Sequence, residues 1–152
     1  MDNRGFYDSA LEGELQKNGV YASVTKGVSM RPLFKTNRDM VIIKKPTEEL
    51  HPFDVALYRL PSGQYVLHRV IKVLKDKYVI RGDNTYSLEY VPKEWVIGVL
   101  TEFNRKGKRI SVENKGYLLY ARLWNFIYPV RYLYVKARSL AGRVYRKILK
   151  RK

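Results

Sequence analysis

Three short polar strings in this chain contain residue types that acyl-transfer chemistry needs. Ser29 lies in a connection bounded by Gly27 and Pro32, so its hydroxyl could be held at the rim of a folded domain. His68 lies in a run of mostly apolar residues, and Asp83 follows the next such run. A serine hydroxyl becomes a nucleophile when an adjacent base takes its proton, and imidazole can act as that base near neutral pH.

Each string also has an ordinary structural explanation when it is considered alone. A serine in a loop is usually a turn residue, and a histidine in a strand is usually a structural side chain. Asp83 and Asn84 are typical of a turn in which short polar side chains bond neighbouring backbone groups. A functional interpretation therefore depends on the three strings acting together.

The 152-residue chain contains no cysteine and two histidines. A thiolate nucleophile, a disulfide framework and cysteine-based zinc sites are excluded, and a histidine-rich metal site is not expected. We expect neither a metal nor an organic cofactor. The length is typical of one domain, and 45% hydrophobic residues are enough for a packed core.

The elements that must position these residues are predicted to be mostly strands. Between residues 20 and 112, short β-branched and aromatic runs alternate with turn residues. The predicted strands cover 20–25, 40–44, 55–59, 65–73, 77–81, 95–101 and 109–112. Hairpin turns are expected at 61–63 and at Asp76, and a short helix near 8–18 is expected to end at Gly19.

The C-terminal segment has helix periodicity instead. Pro129 predicts either a kink in this segment or a second helix with the proline in its first turn. The apolar residues recur three or four positions apart, at Leu119, Leu123, Phe126, Val130, Leu133, Ala137, Leu140, Val144 and Ile148. We therefore expect a mostly β domain over residues 1–116, followed by a basic amphipathic helical tail over 117–152.

The net charge of +16 is concentrated in the last third of the chain. Residues 1–100 contain 15 Lys and Arg against 12 Asp and Glu, whereas residues 101–152 contain 15 against 2. Such an asymmetry predicts an anionic partner for the tail. Three interpretations stay open: a helix that packs its apolar stripe on the domain, a helix on an anionic membrane surface, and a nucleic-acid-binding segment.

Basic and aromatic residues alternate in the tail, which favours the membrane surface over nucleic acid. No helix-turn-helix pattern precedes the β domain, so nucleic acid is the least favoured partner. The residues expected to contact the membrane are Trp124, Arg122, Arg131, Lys136 and Arg138.

Taken in order, the polar strings resemble the conserved boxes of the type I signal peptidase and LexA-like superfamily of serine peptidases. Ser29-Met30 followed by Pro32 resembles the nucleophile box, and His68 stands where the histidine-base branch of that family has its general base. Residues 38–42, 54–58, 68–71, 82–84 and 96–99 resemble the remaining boxes. The resemblance covers most of residues 20–101 and implies a signal peptidase-like β domain.

The same resemblance implies a serine endopeptidase with Ser29 as nucleophile and His68 as general base. Asp83, Glu89 or both would orient the imidazole, and Glu89 departs from the aspartate usual at its position. Gly27 stands where many relatives have a serine, so the oxyanion would be bound by backbone N–H groups, chiefly that of Ser29. The residues expected to support the site are Met30, Pro32, Arg69, Gly82 and Asn84.

The expected substrate is a leader- or signal-like peptide, bound along a sheet edge with small side chains before the scissile bond. Family members usually have a transmembrane anchor before the nucleophile, and here only the short polar helix near 8–18 is expected. We expect a peripheral membrane protein on the cytoplasmic face, or otherwise a cytoplasmic one. The alternatives are a catalytically inactive relative that binds peptide or membrane, and a basic nucleic-acid-binding protein.

Overall fold

The computed structural model describes residues 10–149, and side chains within 11–140. Within these residues the chain forms three α-helices and eight strands. Their order is α1 (Ala10–Asn18), β1 (Val20–Val24), β2 (Met40–Lys44), β3 (Val55–Arg59), β4 (Tyr65–Val73), β5 (Lys77–Arg81), β6 (Glu89–Pro92), β7 (Val96–Arg105), β8 (Lys108–Ser111), α2 (Lys115–Phe126) and α3 (Tyr128–Leu149). The first two residues of the predicted helix near 8–18 lie outside the described residues.

The strands form one antiparallel sheet in the order β1-β2-β7-β3-β4-β5-β6, with β8 paired to β7. The mostly β fold that the sequence predicts is confirmed, and the bounds of β2, β3, β4 and β5 are those predicted. The turns at 61–63 and at Asp76 connect paired strands, as expected. β7 extends to Arg105, beyond its predicted end, because β8 pairs with its C-terminal half.

Strand β6 is the element that the sequence pattern misses. It has four residues, of which only Val91 is buried, and it ends in Pro92. Proline removes a donor from the hydrogen-bond ladder, which argues against a central strand but is tolerated at an edge. β6 is the last strand of the sheet beside β5, and it contributes Glu89.

Apolar side chains cover both faces of the sheet. In β3, Val55 and Leu57 pack into one cluster, whereas Ala56 and Tyr58 pack into the other, as the alternation of strand side chains requires. The first cluster also includes residues from α1, the loop after β1 and α2, namely Leu11, Leu15, Met30, Leu33, Phe34 and Tyr117. The two faces of the sheet, including those of β4, therefore pack against different clusters of apolar side chains.

The two helices of the tail meet at Ile127, two residues before Pro129. The side chain of Asn114 accepts hydrogen bonds from the N–H groups of Gly116 and Tyr117 at 2.9 and 3.2 Å, and so caps α2. α3 begins at Tyr128 with the proline in its first turn, where no helical hydrogen bond is lost. This is the second of the two alternatives that the proline predicts. Across residues 10–149, no helix has the combined length and apolar character needed to span a bilayer.

The tail packs on the β domain, but not through its apolar stripe. Tyr117 and Ala121 are the buried residues of α2, whereas Leu119 and Leu123 of the stripe are 58% and 51% exposed. The interpretation in which the stripe is buried against the domain is therefore wrong. Aromatic and charged residues form the packing face instead.

Candidate active site

Ser29 lies in the loop between β1 and β2, and a buried carboxylate braces this loop. The Asp39 carboxylate accepts hydrogen bonds from the backbone N–H of Lys35 at 2.7 Å and from the Arg38 guanidinium at 2.6 and 2.8 Å. Burial raises the pKa of Asp39, but these hydrogen bonds outweigh it and bring the pKa below its ordinary value. The ionised carboxylate thus stabilises the turn that precedes β2.

The loop after β5 holds the backbone of Ser29. The carbonyl of Ser29 accepts a hydrogen bond from the N–H of Asn84 at 2.7 Å, and the carbonyl of Val28 accepts one from the Asn84 side chain at 3.2 Å. Gly27 has φ 77°, and the Thr36 hydroxyl donates to its carbonyl. Asn84 thus contacts the serine loop directly, through its backbone and its side chain.

Gly82 allows the serine loop and His68 to come close together. A Cβ placed on Gly82 would lie 2.7 Å from the carbonyl oxygen of Ser29 and 3.0 Å from Nε2 of His68. Neither distance leaves room for a side chain, so glycine is required for this approach. The structure therefore brings Ser29, His68 and Gly82 together, as the family resemblance implies.

The two ring nitrogens of His68 have different surroundings. Nδ1 lies 3.0 Å from Oε1 of Glu89 and 3.3 Å from the hydroxyl of Tyr58. A carboxylate can only accept hydrogen bonds, so Nδ1 is the nitrogen that donates a proton to Glu89. In the neutral imidazole, Nε2 then has the free lone pair that a general base requires.

Nε2 of His68 is buried and has no hydrogen-bond partner among the described residues. Buried polar atoms nearly always have a partner, so this atom is exceptional. The Ser29 hydroxyl is therefore not hydrogen-bonded to Nε2 in this state. Catalytic hydrogen bonds are often long in free enzymes and shorten when substrate binds.

Tyr58 and His68 together orient Glu89. The Tyr58 hydroxyl donates to Oε2 of Glu89 at 2.5 Å. Burial raises the pKa of Glu89, but the hydrogen bonds from His68 and Tyr58 outweigh it and lower the pKa. Burial and the same carboxylate raise the pKa of Tyr58. Glu89 is therefore ionised and Tyr58 protonated near neutral pH.

The register of the strands explains why Glu89 reaches the histidine. His68 and its neighbour Arg69 point to opposite faces of the sheet. On the face of His68, Val70 of β4 is paired with Ile80 of β5, and Ile80 is paired with Glu89 of β6. Glu89 therefore projects from the sheet on the same face as His68.

Asp83 is paired with Arg69 on the other face. The guanidinium of Arg69 is fully buried and donates to both carboxylate oxygens of Asp83 at 2.8 Å. Arg69 also donates to the hydroxyl of Tyr117 at 3.1 Å, and the hydroxyl of Tyr120 donates to Asp83 at 2.9 Å. Of the two carboxylates expected to orient His68, Glu89 contacts the ring, and Asp83 links β4 to α2.

The tail contacts the same loop through its backbone. Nε1 of Trp124 and a guanidinium nitrogen of Arg131 both donate to the carbonyl of Asp83, at 2.9 and 2.8 Å. The Arg131 guanidinium lies 3.6 Å from the centroid of the Trp124 ring. Both residues are expected from the sequence to contact a membrane, and the structure instead commits them to the domain. Arg122, Lys136 and Arg138, the other residues of that set, are exposed.

A narrow cavity adjoins the serine loop. Its volume is about 20 Å³, and its lining includes Ser29, Met30, Phe34 and Tyr65. A cavity of this size holds about one water molecule.

The sequence does not single out Tyr58 as a residue of the site. β3 and β4 form a hairpin in which Ala56 is paired with His68, and Tyr58 with Val66. Tyr58 therefore lies on the same face as His68, one side-chain pair away. The turn at 61–63 sets this register, and working through the pairing from that turn would have identified the tyrosine.

The described residues contain no cluster of three or more His, Cys, Asp or Glu side chains arranged to bind a metal. Comparison with known proteins gives no match to a family model or to a curated protein. The geometry around Ser29 and His68 is therefore the main guide to function.

Proposed function

We propose that this protein is a serine endopeptidase in which Ser29 is the nucleophile, His68 the general base and Glu89 the residue that orients the imidazole. The unpaired Nε2 of His68 carries the proposal. It is buried next to Gly82, which also touches the backbone of Ser29, while Nδ1 is engaged by Glu89. This combination suits a base that is ready to accept a proton from a nearby hydroxyl.

The reaction has two halves, and His68 transfers a proton in each. In the first, Nε2 takes the proton of Ser29 Oγ while Oγ attacks the carbonyl carbon of the scissile bond. The carbon–nitrogen bond breaks, and Nε2 returns the proton to the leaving amine. In the second, water gives a proton to Nε2 and its oxygen attacks the acyl ester, so the bond to Oγ breaks and Oγ regains the proton.

The Ser29 N–H is the proposed donor to the oxyanion, as the sequence suggests. An oxyanion hole stabilises the negative charge that develops on the carbonyl oxygen in both halves of the reaction. Gly27 supplies no hydroxyl, so backbone groups of the serine loop take this role. Asn84 stabilises that loop through its bond to the Ser29 carbonyl.

The substrate is proposed to be a leader- or signal-like peptide with a small residue next to the scissile bond. The cavity beside Ser29, about 20 Å³ in volume, supports a small side chain there. β1 lies at an edge of the sheet and leads into the serine loop. An extended peptide could pair with that edge and present its backbone to Ser29.

The proposal is tested by cleavage assays with the full chain and a library of peptides that carry alanine, glycine or serine at successive positions. We expect cleavage by the wild type and a loss of at least about 10²-fold in Ser29→Ala and His68→Ala. Ser62→Ala and His51→Ala are matched controls, because they remove the same functional groups from exposed side chains. The controls should cleave at the wild-type rate.

Two results would contradict the proposal. If Ser29→Ala cleaves as fast as the wild type, the serine is not the nucleophile. If the wild type cleaves no peptide of the library but binds some of them, the chain is an inactive peptide-binding relative.

A further inference from the structure

The apolar stripe of the tail forms a continuous exposed surface. We name as the outer face Leu119, Leu123, Phe126, Val130 and Leu133. These side chains are between 51% and 81% exposed. Their spacing of three or four residues places them on one side of a helix. Isolated apolar residues are common on protein surfaces, but a contiguous row of this length marks an interaction site.

The break between the helices does not interrupt the outer face. The N–H of Ile127 donates to the carbonyl of Leu123 at 3.0 Å, and the N–H of Arg131 donates to the carbonyl of Ile127 at 3.1 Å. These bonds have the spacing of an α-helix, so α2 and α3 continue in phase. Phe126 and Val130 therefore follow Leu123 along one side.

Contacts on the opposite side prevent the outer face from turning toward the domain. Residues two positions apart on a helix are about 200° apart around its axis. Trp124 and Tyr128 thus point away from Phe126 and Val130. The Tyr128 hydroxyl donates to the carbonyl of Tyr86 at 3.0 Å, and the Arg81 guanidinium lies 3.3 Å from the Tyr128 ring centroid.

The charge around the outer face indicates which partner covers it. Residues 114–152 contain no Asp or Glu, and Lys115, Arg122, Lys136 and Arg138 are exposed. A second copy of the chain seated on this face would bring like charges together. Nucleic acid would satisfy the charges but offers no surface for a row of leucine, phenylalanine and valine side chains.

We infer that the outer face docks on an anionic lipid bilayer. The leucine, phenylalanine and valine side chains enter the boundary between headgroups and acyl chains, and the flanking cations contact anionic headgroups. This assignment differs from the sequence-based one, because Trp124 and Arg131 remain bound to the Asp83 loop. The docked helices would hold the β domain at the bilayer, and the docking itself does not depend on peptidase activity.

The docking is tested by sedimentation of the full chain with vesicles of phosphatidylcholine alone or mixed with phosphatidylglycerol. We expect binding to the mixed vesicles, and at least about a tenfold loss of partitioning in Phe126→Ser/Val130→Ser. The matched control is Val20→Ser/Met40→Ser, which removes two apolar side chains exposed on the sheet. Arg122→Gln and Arg138→Gln should each weaken binding about fivefold.

Other outcomes would overturn the docking proposal. Equal sedimentation of the Phe126/Val130 variant and the wild type would exclude the outer face as the surface that docks on the bilayer. Self-association without vesicles that this variant abolishes would assign the face to a second copy. Binding to duplex DNA that the variant weakens more than vesicle binding would assign it to nucleic acid. Ser29→Ala should sediment as the wild type does. Failure of the peptidase proposal would therefore be distinguishable from failure of the docking proposal.

Discussion

Nδ1 of His68 lies 3.0 Å from Oε1 of Glu89, while the next residue in the strand, Arg69, is paired at 2.8 Å with Asp83. Alternation of side chains along β4 sends these two pairs to opposite faces of the sheet. In the proposed mechanism the first pair orients a histidine for proton transfer, and the second pair joins the sheet to the tail. Substitution of the two carboxylates should therefore have different consequences.

Glu89→Gln should impair catalysis more than folding. A glutamine can present its amide to Nδ1 and so favour the tautomer with the proton on Nε2, which cannot act as a base. We expect kcat to fall by about 10²- to 10⁴-fold with little change in KM. Steady-state kinetics with a cleaved peptide measure this effect. An unchanged kcat would show that Glu89 does not orient the imidazole.

Asp83→Asn should impair folding first. The substitution leaves the buried Arg69 guanidinium without a counter-charge, and breaking a buried pair in this way costs about 3–5 kcal/mol. Urea unfolding at neutral pH measures the loss. Asp76→Asn is the control, because its side chain is 74% exposed and the change should be within about 0.5 kcal/mol. Equal stability of the two variants would refute the structural role of Asp83.

The sequence predicts the polar strings of the site but not their assignment to faces. The strands that lead into Ser29, His68 and Gly82 have clear apolar patterns, but it is the resemblance to the serine peptidase family that implies that the three residues lie together. Glu89 and Asp83 could not be distinguished, since β6 is short, ends in proline and gives no alternating pattern. Because the sequence does not predict β6, it gives no register between β5 and β6. The face of the sheet on which Glu89 lies therefore cannot be predicted.

The tail shows a different limit of sequence reasoning. The helices predicted for the tail are confirmed, and α3 has Pro129 in its first turn as one of the two predicted alternatives requires. The apolar stripe was nevertheless a poor guide to packing, because the buried contacts of the tail come from aromatic and charged residues such as Tyr117, Trp124 and Arg131. Their partners are a backbone carbonyl and a buried ion pair in the β domain, which no pattern within the tail reveals.

Gly82→Ala should impair activity through a local clash. The new methyl group would lie 2.7 Å from the Ser29 carbonyl oxygen, so the serine loop must move away. We expect a destabilisation of about 1–3 kcal/mol and a loss of kcat of about 10²-fold. Gly13→Ala is the matched control, since no atom lies within 4 Å of the added carbon there. Wild-type activity of Gly82→Ala would mean that the observed spacing is not the functional one.

Tyr58→Phe should reveal Tyr58 as a positioning residue. The phenyl ring preserves packing, but Glu89 loses the hydrogen bond that fixes Oε2, and a hydrogen bond to a charged group is worth about 1.5–3 kcal/mol. We expect kcat to fall about tenfold with KM unchanged, and the ¹⁵N shifts of the His68 ring to show a mixture of tautomers. Tyr90→Phe, at a side chain 62% exposed, should alter neither property. A loss of stability with an unchanged tautomer would assign Tyr58 a packing role alone.

The Asp39 carboxylate should make the stability of the serine loop depend on pH. Hydrogen bonds from Arg38 and Lys35 lower its pKa in the folded protein below the ordinary value of 3.8, despite burial. A group with a lowered folded pKa contributes stability above its unfolded pKa and loses it as the pH falls through the folded pKa. Asp39→Asn should therefore reduce the free energy of unfolding by about 2–3 kcal/mol between pH 5 and 8.

Below about pH 4 the difference between the wild type and Asp39→Asn should shrink, because the protonated acid and the amide are then both neutral. Urea unfolding across this pH range measures the difference in the free energy of unfolding. Asp76→Asn is the control and should be as stable as the wild type at every pH. Because Asp39 accepts hydrogen bonds within the loop that contains Ser29, the protection of amides in that loop, relative to their intrinsic exchange rates, should fall over the same acid range. A stability difference that stays constant down to pH 3 would mean that the ionised carboxylate does not brace the loop.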